Sequence, residues 1–137
     1  MKLYRELNHP AELRIQVSGD TVEHLFVNAA DALADILSTN RYATVVATEH
    51  VQVRSIDQDA ALVDFLNEIL MRSHAQRAVY VPESVTMVSE EQGIIIDAVV
   101  HRYAIPAFDE DIKAVTHQDV SIAQSGAEWK TTLVFDI

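Results

Sequence analysis

The stretch Val79–Tyr103, VYVPESVTMVSEEQGIIIDAVVHRY, decides the architecture. Val79–Val88 and Gly93–Tyr103 are rich in Val, Ile, Thr and Tyr, residues that pack well on a pleated, half-buried surface. Glu90-Glu91-Gln92-Gly93 between them is polar and ends on a glycine, so the two runs read as a hairpin. Pro82 has no amide proton to give to a ladder and belongs near the start or edge of the first strand. A hairpin here, with further short-linked strands after it, calls for antiparallel pairing.

Towards the N-terminus the periodicity changes. Leu62, Phe65, Leu66, Ile69 and Leu70 form a helical stripe, with Glu68 ahead of Arg72 in the favourable i,i+4 order and Asp57 or Asp59 as the cap. Thr44–Ile56, rich in Val and Thr without Gly or Pro, is a strand. Val22, Leu25, Phe26, Ala29, Ala30, Leu33, Ile36 and Leu37 predict a helix over 21–37, with Asp20 and Glu23 in capping-box spacing. In Glu12–Val17, Leu13, Ile15 and Val17 alternate with Glu12, Arg14 and Gln16, the pattern of a strand with one buried face.

Beyond the hairpin, Pro106–Asp111 is an acidic connector. Two closing strands are predicted, about Lys113–Ala123 and Glu128–Asp136, with Ser125-Gly126 in the turn. The expected fold is α+β: strand-helix-strand-helix, then four mostly antiparallel strands, in a single domain spanning 1–137. No linker, repeat or low-complexity tract interrupts it.

Charge narrows the partners. The 137 residues include 21 Asp and Glu against 10 Lys and Arg, a formal net charge of −11. Such a surface repels phosphate backbones and anionic membranes, so direct high-affinity nucleic-acid binding is not expected. There is no cysteine, hence no disulfide, thiolate metal site or Cys nucleophile. No apolar run approaches the length of a membrane span, and Met1-Lys2-Leu3-Tyr4-Arg5-Glu6 has no signal-peptide core. These features predict a soluble, cytoplasmic globular protein.

Chemistry is sparse. Glycines at 19, 93 and 126 make no phosphate-binding loop, and no Gly-x-Ser-x-Gly or His-Glu-x-x-His motif occurs. His9, His24, His50, His74, His101 and His117 are scattered, with exposed or structural roles expected for each. Carboxylates offer more. The sequence ends Phe135-Asp136-Ile137, which sets a side-chain carboxylate beside the main-chain end, where hard divalent cations find oxygen ligands. In that strand Trp129, Thr131, Leu133 and Phe135 share one face, and Asp136 lies on the other with Lys130, Thr132 and Val134.

Laid out in this way, the sequence resembles the archease family. Lys113-Ala114-Val115-Thr116, Asp119-Val120, Trp129 and the closing Phe135-Asp136-Ile137 resemble the family's final hairpin. His9-Pro10-Ala11-Glu12 resembles its His-Thr-Ala-Asp segment. Gly19–Glu23 with Leu25-Phe26 and Asn28-Ala29-Ala30 resembles the entry to its first helix, and Phe65–Leu70 its second. The resemblance implies an accessory protein with no reaction of its own. Its partner would be an RtcB-type RNA ligase of tRNA splicing and RNA repair, whose guanylylation and repeated turnover it promotes in a chaperone-like way. It implies a divalent cation, Ca²⁺ foremost, with Mg²⁺ or Mn²⁺ as alternatives, held at Glu12, Asp136 and Ile137. Lys113 and His9 are the further activity-linked positions. The chain departs from the family in carrying Glu12 for Asp, His117-Gln118 for Tyr-His, and a shorter connector around Tyr103–Asp111. Two other readings of the same residues stay open: a metal-dependent hydrolase using Glu12 and Asp136 with His9 or His117 as base, and an acidic binding module without metal.

Overall fold

The computed structural model describes residues 12–137. The sequence predictions at His9, Pro10 and Ala11 lie outside the described residues. Strand β1 (Glu12–Gly19) leads into helix α1 (Val22–Leu37), strand β2 (Val45–Ser55) and helix α2 (Gln58–Gln76). Strands β3 (Ala78–Glu90), β4 (Gly93–Ala104), β5 (Ala114–Val115), β6 (Ala123–Ser125) and β7 (Glu128–Asp136) complete the order. This is the expected α+β class, and every strand pair is antiparallel.

The strands form two sheets. One has the order β2-β4-β3, with the predicted hairpin as two of its three strands. Pro82 lies in edge strand β3, and the register shifts between Pro82 and Ser84, where the missing amide proton breaks the ladder. In the other sheet β7 is central, with β1 along one side and β5 and β6 both paired to it. Both helices pack on strands of both sheets: α1 on β1 and β3, α2 on β2 and β5. Leu25, Phe26, Leu33 and Leu37 of α1 and Leu62, Phe65, Leu66 and Ile69 of α2 are buried as the stripes require. Phe26 and Phe65 meet between the helices at 5.9 Å between ring centroids. Burial of such side chains is the main stabilising term, at about 1.5–3 kcal/mol each.

Local chemistry sets the element ends. Helix α1 is capped by Thr21, whose hydroxyl accepts from His24 N at 3.0 Å, so the cap falls one residue after Asp20. Asp57 caps α2, accepting from Ala60 N at 2.8 Å. That leaves Asp59 to accept from Ile122 N at 2.9 Å, tying the late connector to the start of the helix. Glu68 and Arg72 form the anticipated i,i+4 pair at 3.1 Å.

The prediction of one strand over Lys113–Ala123 is corrected. The chain pairs with β7 only at Ala114-Val115, leaves the ladder, and rejoins it at Ala123. Thr116 N still reaches Val134 O at 2.9 Å, and Ser121 N donates to the Thr131 hydroxyl at 2.9 Å. Between them Asp119 takes a left-handed φ of 61°, which no continuous strand accommodates. The four strands predicted after the second helix are therefore five.

Asn67 of α2 works as a short length of strand. Its Nδ2 donates to Val115 O and its Oδ1 accepts from Val115 N, both at 2.8 Å. This pair satisfies the outer side of β5, and the Lys113 N to Asp136 O bond of 2.7 Å adjoins it. We expect Asn67→Ala to lower the stability by about 2–3 kcal/mol, the cost of orphaning two part-buried backbone groups, read as a fall in denaturant midpoint at unchanged slope. Gly19 closes β1 where a Cβ would lie 2.4 Å from Leu25 N and 2.8 Å from His24 C. Because those neighbours are backbone atoms that cannot swing aside, Gly19→Ala is expected to cost at least about 2 kcal/mol, checked by thermal melting.

Candidate cation site at the β1–β7 strand ends

The register of β1 on β7 runs Glu12↔Asp136, Leu13↔Phe135, Arg14↔Val134, Ile15↔Leu133 and on to Gly19↔Trp129. Leu13, Ile15, Leu133 and Phe135 face the core, with Leu133 and Phe135 fully buried. Alternation then sends Glu12, Arg14 and Asp136 to the opposite face. Directly opposed side chains of an antiparallel pair have Cβ atoms about 5 Å apart, so the carboxylates of Glu12 and Asp136 arise within reach of one ion. Hydrophobic burial on one face thus fixes the placement of charge on the other.

The final residues are held. Asp136 pairs with Ala114 as well as with Glu12, and its carbonyl accepts from Lys113 N at 2.7 Å. Phe135 anchors the strand from the core side, and Ile137 packs partly buried against the same core. Main-chain oxygens of Ile137 therefore follow directly on the Asp136 carboxylate. Three of the positions singled out from sequence, Glu12, Asp136 and Ile137, come together. Lys113 lies beside them just ahead of β5, with its side chain exposed and in no ion pair among the described residues. His117 is exposed in the segment between β5 and β6.

Two residues at this site carried no functional reading in the sequence. Arg14 Nε donates to Glu12 Oε1 at 3.2 Å, and its Nη1 donates to Asp119 Oδ2 at 2.6 Å. Hydrogen bonding to Asp119, and next to Glu12, raises the guanidinium pKa further above its ordinary value, so the charge is permanent. Arg14 was visible as the outward neighbour of Glu12 at i+2. Asp119 is 105 residues away along the chain, and only the return of the late connector over β1 brings it there.

Two of the other histidines have structural partners. His74 Nε2 bonds Ile112 O at 2.8 Å with its ring against Phe108, and His101 Nδ1 bonds the Thr48 hydroxyl at 2.9 Å. His50 lines a cavity of about 240 Å³ with Ser84, Thr86 and Asp97 on the other sheet. A second charged network surrounds Glu49, which meets Arg72 and Arg102 at 3.2 Å each and the Tyr80 hydroxyl at 3.1 Å. Burial pushes the Tyr80 phenol up, so it stays a neutral donor there. Two guanidinium groups balance Glu49 and Glu68, and the network locks the end of α2 to β2 and β4. Among the described residues no three His, Asp or Glu side chains gather as a metal cluster. A cation at the β1–β7 ends thus depends on main-chain oxygen in addition to the two carboxylates.

Comparison with known proteins agrees with this architecture. Residues 4–137 match the model of the Archease protein family (MTH1598/TM1083). Protein archease of Methanosarcina barkeri is 30% identical, over 99% of this chain and 97% of its own length. Protein archease of Pyrococcus abyssi is 26% identical, with both chains covered in full. Among solved structures, protein 1598 of Methanobacterium thermoautotrophicum superposes with a TM-score of 0.78 at 20% identity, covering 96% of each chain. The Thermotoga maritima archease, described as a possible chaperone, gives 0.70 at 17% identity over 100% of this chain and 99% of its own. At these identities the two structures establish the shared fold. With the family model matched over residues 4–137, the chain belongs to the archease family.

Proposed function

We propose that this protein is an accessory factor of an RtcB-type RNA ligase and that it holds a divalent cation at Glu12, Asp136 and the main-chain oxygens of Ile137. The observation that carries the cation is the register: Glu12 opposite Asp136 on one face, at an ordered strand end. Like charges directly opposed across a ladder are destabilising. A divalent cation turns that repulsion into shared coordination. The donor set is all oxygen, which suits hard cations, and Ca²⁺ with its flexible coordination at about 2.3–2.6 Å tolerates the longer Glu12 side chain better than Mg²⁺ does.

The ligase role is supported by family membership and by the charge of the surface. With a net charge of −11 the protein cannot compete with the ligase for RNA, and it complements a basic nucleic-acid channel. Docking of that kind strengthens association chiefly through long-range attraction and weakens with added salt. We assign Lys113, exposed next to the site, to the contact with the ligase.

The direct test is a guanylylation and multiple-turnover ligation assay of the cognate ligase with and without this protein. Stimulation is expected from the wild type at sub-stoichiometric amounts and little from Asp136→Ala. Unchanged ligase turnover with the wild type contradicts the role. For the cation, Ca²⁺ at a hundredfold excess over Kd is expected to stabilise by about 2.7 kcal/mol, roughly 8 °C in melting midpoint for a chain of this size. Asp136→Asn is expected to abolish that rise while leaving the cation-free protein at least as stable, because the opposed charges are relieved. An equal rise in both proteins places the cation elsewhere.

A further inference from the structure

Arg14 stands between two carboxylates that belong to different parts of the chain. On one side is Glu12, in the same row of outward β1 side chains, at 3.2 Å. On the other is Asp119, at 2.6 Å. The ends of the segment carrying Asp119 are fixed by other bonds: Thr116 N to Val134 O, Ser121 N to Thr131 Oγ1 and Ile122 N to Asp59 Oδ1. Its middle is held to β1 through Arg14. Asp119 also carries the left-handed φ of 61°, a conformation that costs a non-glycine residue free energy.

From this geometry we infer that Arg14 is a built-in counter-cation that competes with the divalent ion for Glu12, so that loading of the site commits Arg14 to Asp119 alone and tightens the Asp119 segment on β1. The inference rests on Glu12 and Asp136 being cation ligands. Without the ion, Arg14 offsets the charge of Glu12 and Asp119. When an ion takes Glu12, a guanidinium bonded to the same carboxylate group stands within a few ångströms of a double positive charge. At that separation repulsion outweighs an exposed ion pair, which contributes little. Arg14 then withdraws from Glu12. Its bond to Asp119 remains as its one carboxylate contact, and the segment between β5 and β6, beside Lys113, is held more firmly to β1. Occupancy of the cation site becomes readable on the surface through residues that do not touch the ion.

Loss of a positive charge beside the site raises cation affinity in any case, so affinity is read together with the response of the Asp119 segment. Titration calorimetry with CaCl₂ on the wild type, Arg14→Gln, Arg14→Lys and Asp136→Asn gives the first readout. Arg14→Gln is expected to bind Ca²⁺ about two- to fivefold tighter, the range an exposed pair supplies. Arg14→Lys, which keeps the charge, is expected to stay near the wild type. Amide hydrogen exchange of residues 117–120 gives the second readout. Ca²⁺ is expected to slow exchange there in the wild type, while Arg14→Gln exchanges fast with or without the ion. Equal or weaker Ca²⁺ binding by Arg14→Gln, or exchange in the wild type that ignores Ca²⁺, overturns the inference. If the wild type binds no Ca²⁺, the site itself falls and the competition with it. If the wild type binds but Asp136→Asn binds equally, the ion lies elsewhere, and again the competition is lost.

Discussion

Pairing of β1 with β7 is the constraint on which the rest depends. It joins the start of the described chain to its end, and it does so in a register dictated by packing. Leu13 and Ile15 on one strand, with Leu133 and Phe135 on the other, must all turn inward. A slip by one residue would carry that apolar set into water and bring the charged set into the core. At about 1.5–3 kcal/mol for each large side chain buried, the alternative registers are not competitive. Electrostatics at the strand end is therefore imposed by hydrophobic burial. Glu12 and Asp136 are brought together against their mutual repulsion, and the molecule answers locally with Arg14 and, in our reading, with a cation.

The second half of the architecture secures that strand end from behind. Helix α2 sends three side chains to the connector that leads into β7. His74 reaches Ile112 O, Asn67 brackets Val115, and Asp59 takes Ile122 N. These bonds run down one helix in order, so the connector is laid along it as a strap. Each net hydrogen bond contributes only about 1 kcal/mol, but together they replace the ladder that the interrupted β5–β6 segment gives up. What stays loosely held is the apex at Asp119, tied to β1 by one arginine.

Much of this was legible in the sequence, for identifiable reasons. Helix α1 and the β3–β4 hairpin were plain because their stripes and turn residues are local and mutually consistent. The outward face of Asp136 followed from simple alternation in β7, and its convergence with Glu12 came through family resemblance and was then placed by the register. The break between β5 and β6 was not visible. Nothing in Thr116–Ile122 forbids a strand; it is the competition of Thr131, Asp59 and Arg14 for its backbone and side chains that draws it off the ladder. Arg14 and Asp119 escaped for the same reason, since their pairing spans distant parts of the chain and leaves no periodic trace. Asp59 was weighed as a cap, whereas Asp57 is nearer the helix start and takes that role.

The central claim is that one cation sits between β1 and β7, beside β5. Titrating Mn²⁺ into isotope-labelled protein and following paramagnetic broadening of the amide resonances tests it most directly. The account predicts early loss of signals from residues 12–14, 113–116 and 134–137, with the β2-β4-β3 sheet spared at the same Mn²⁺ level. Broadening centred on another part of the molecule, such as the acidic start of α2, or none at stoichiometric metal, would contradict it.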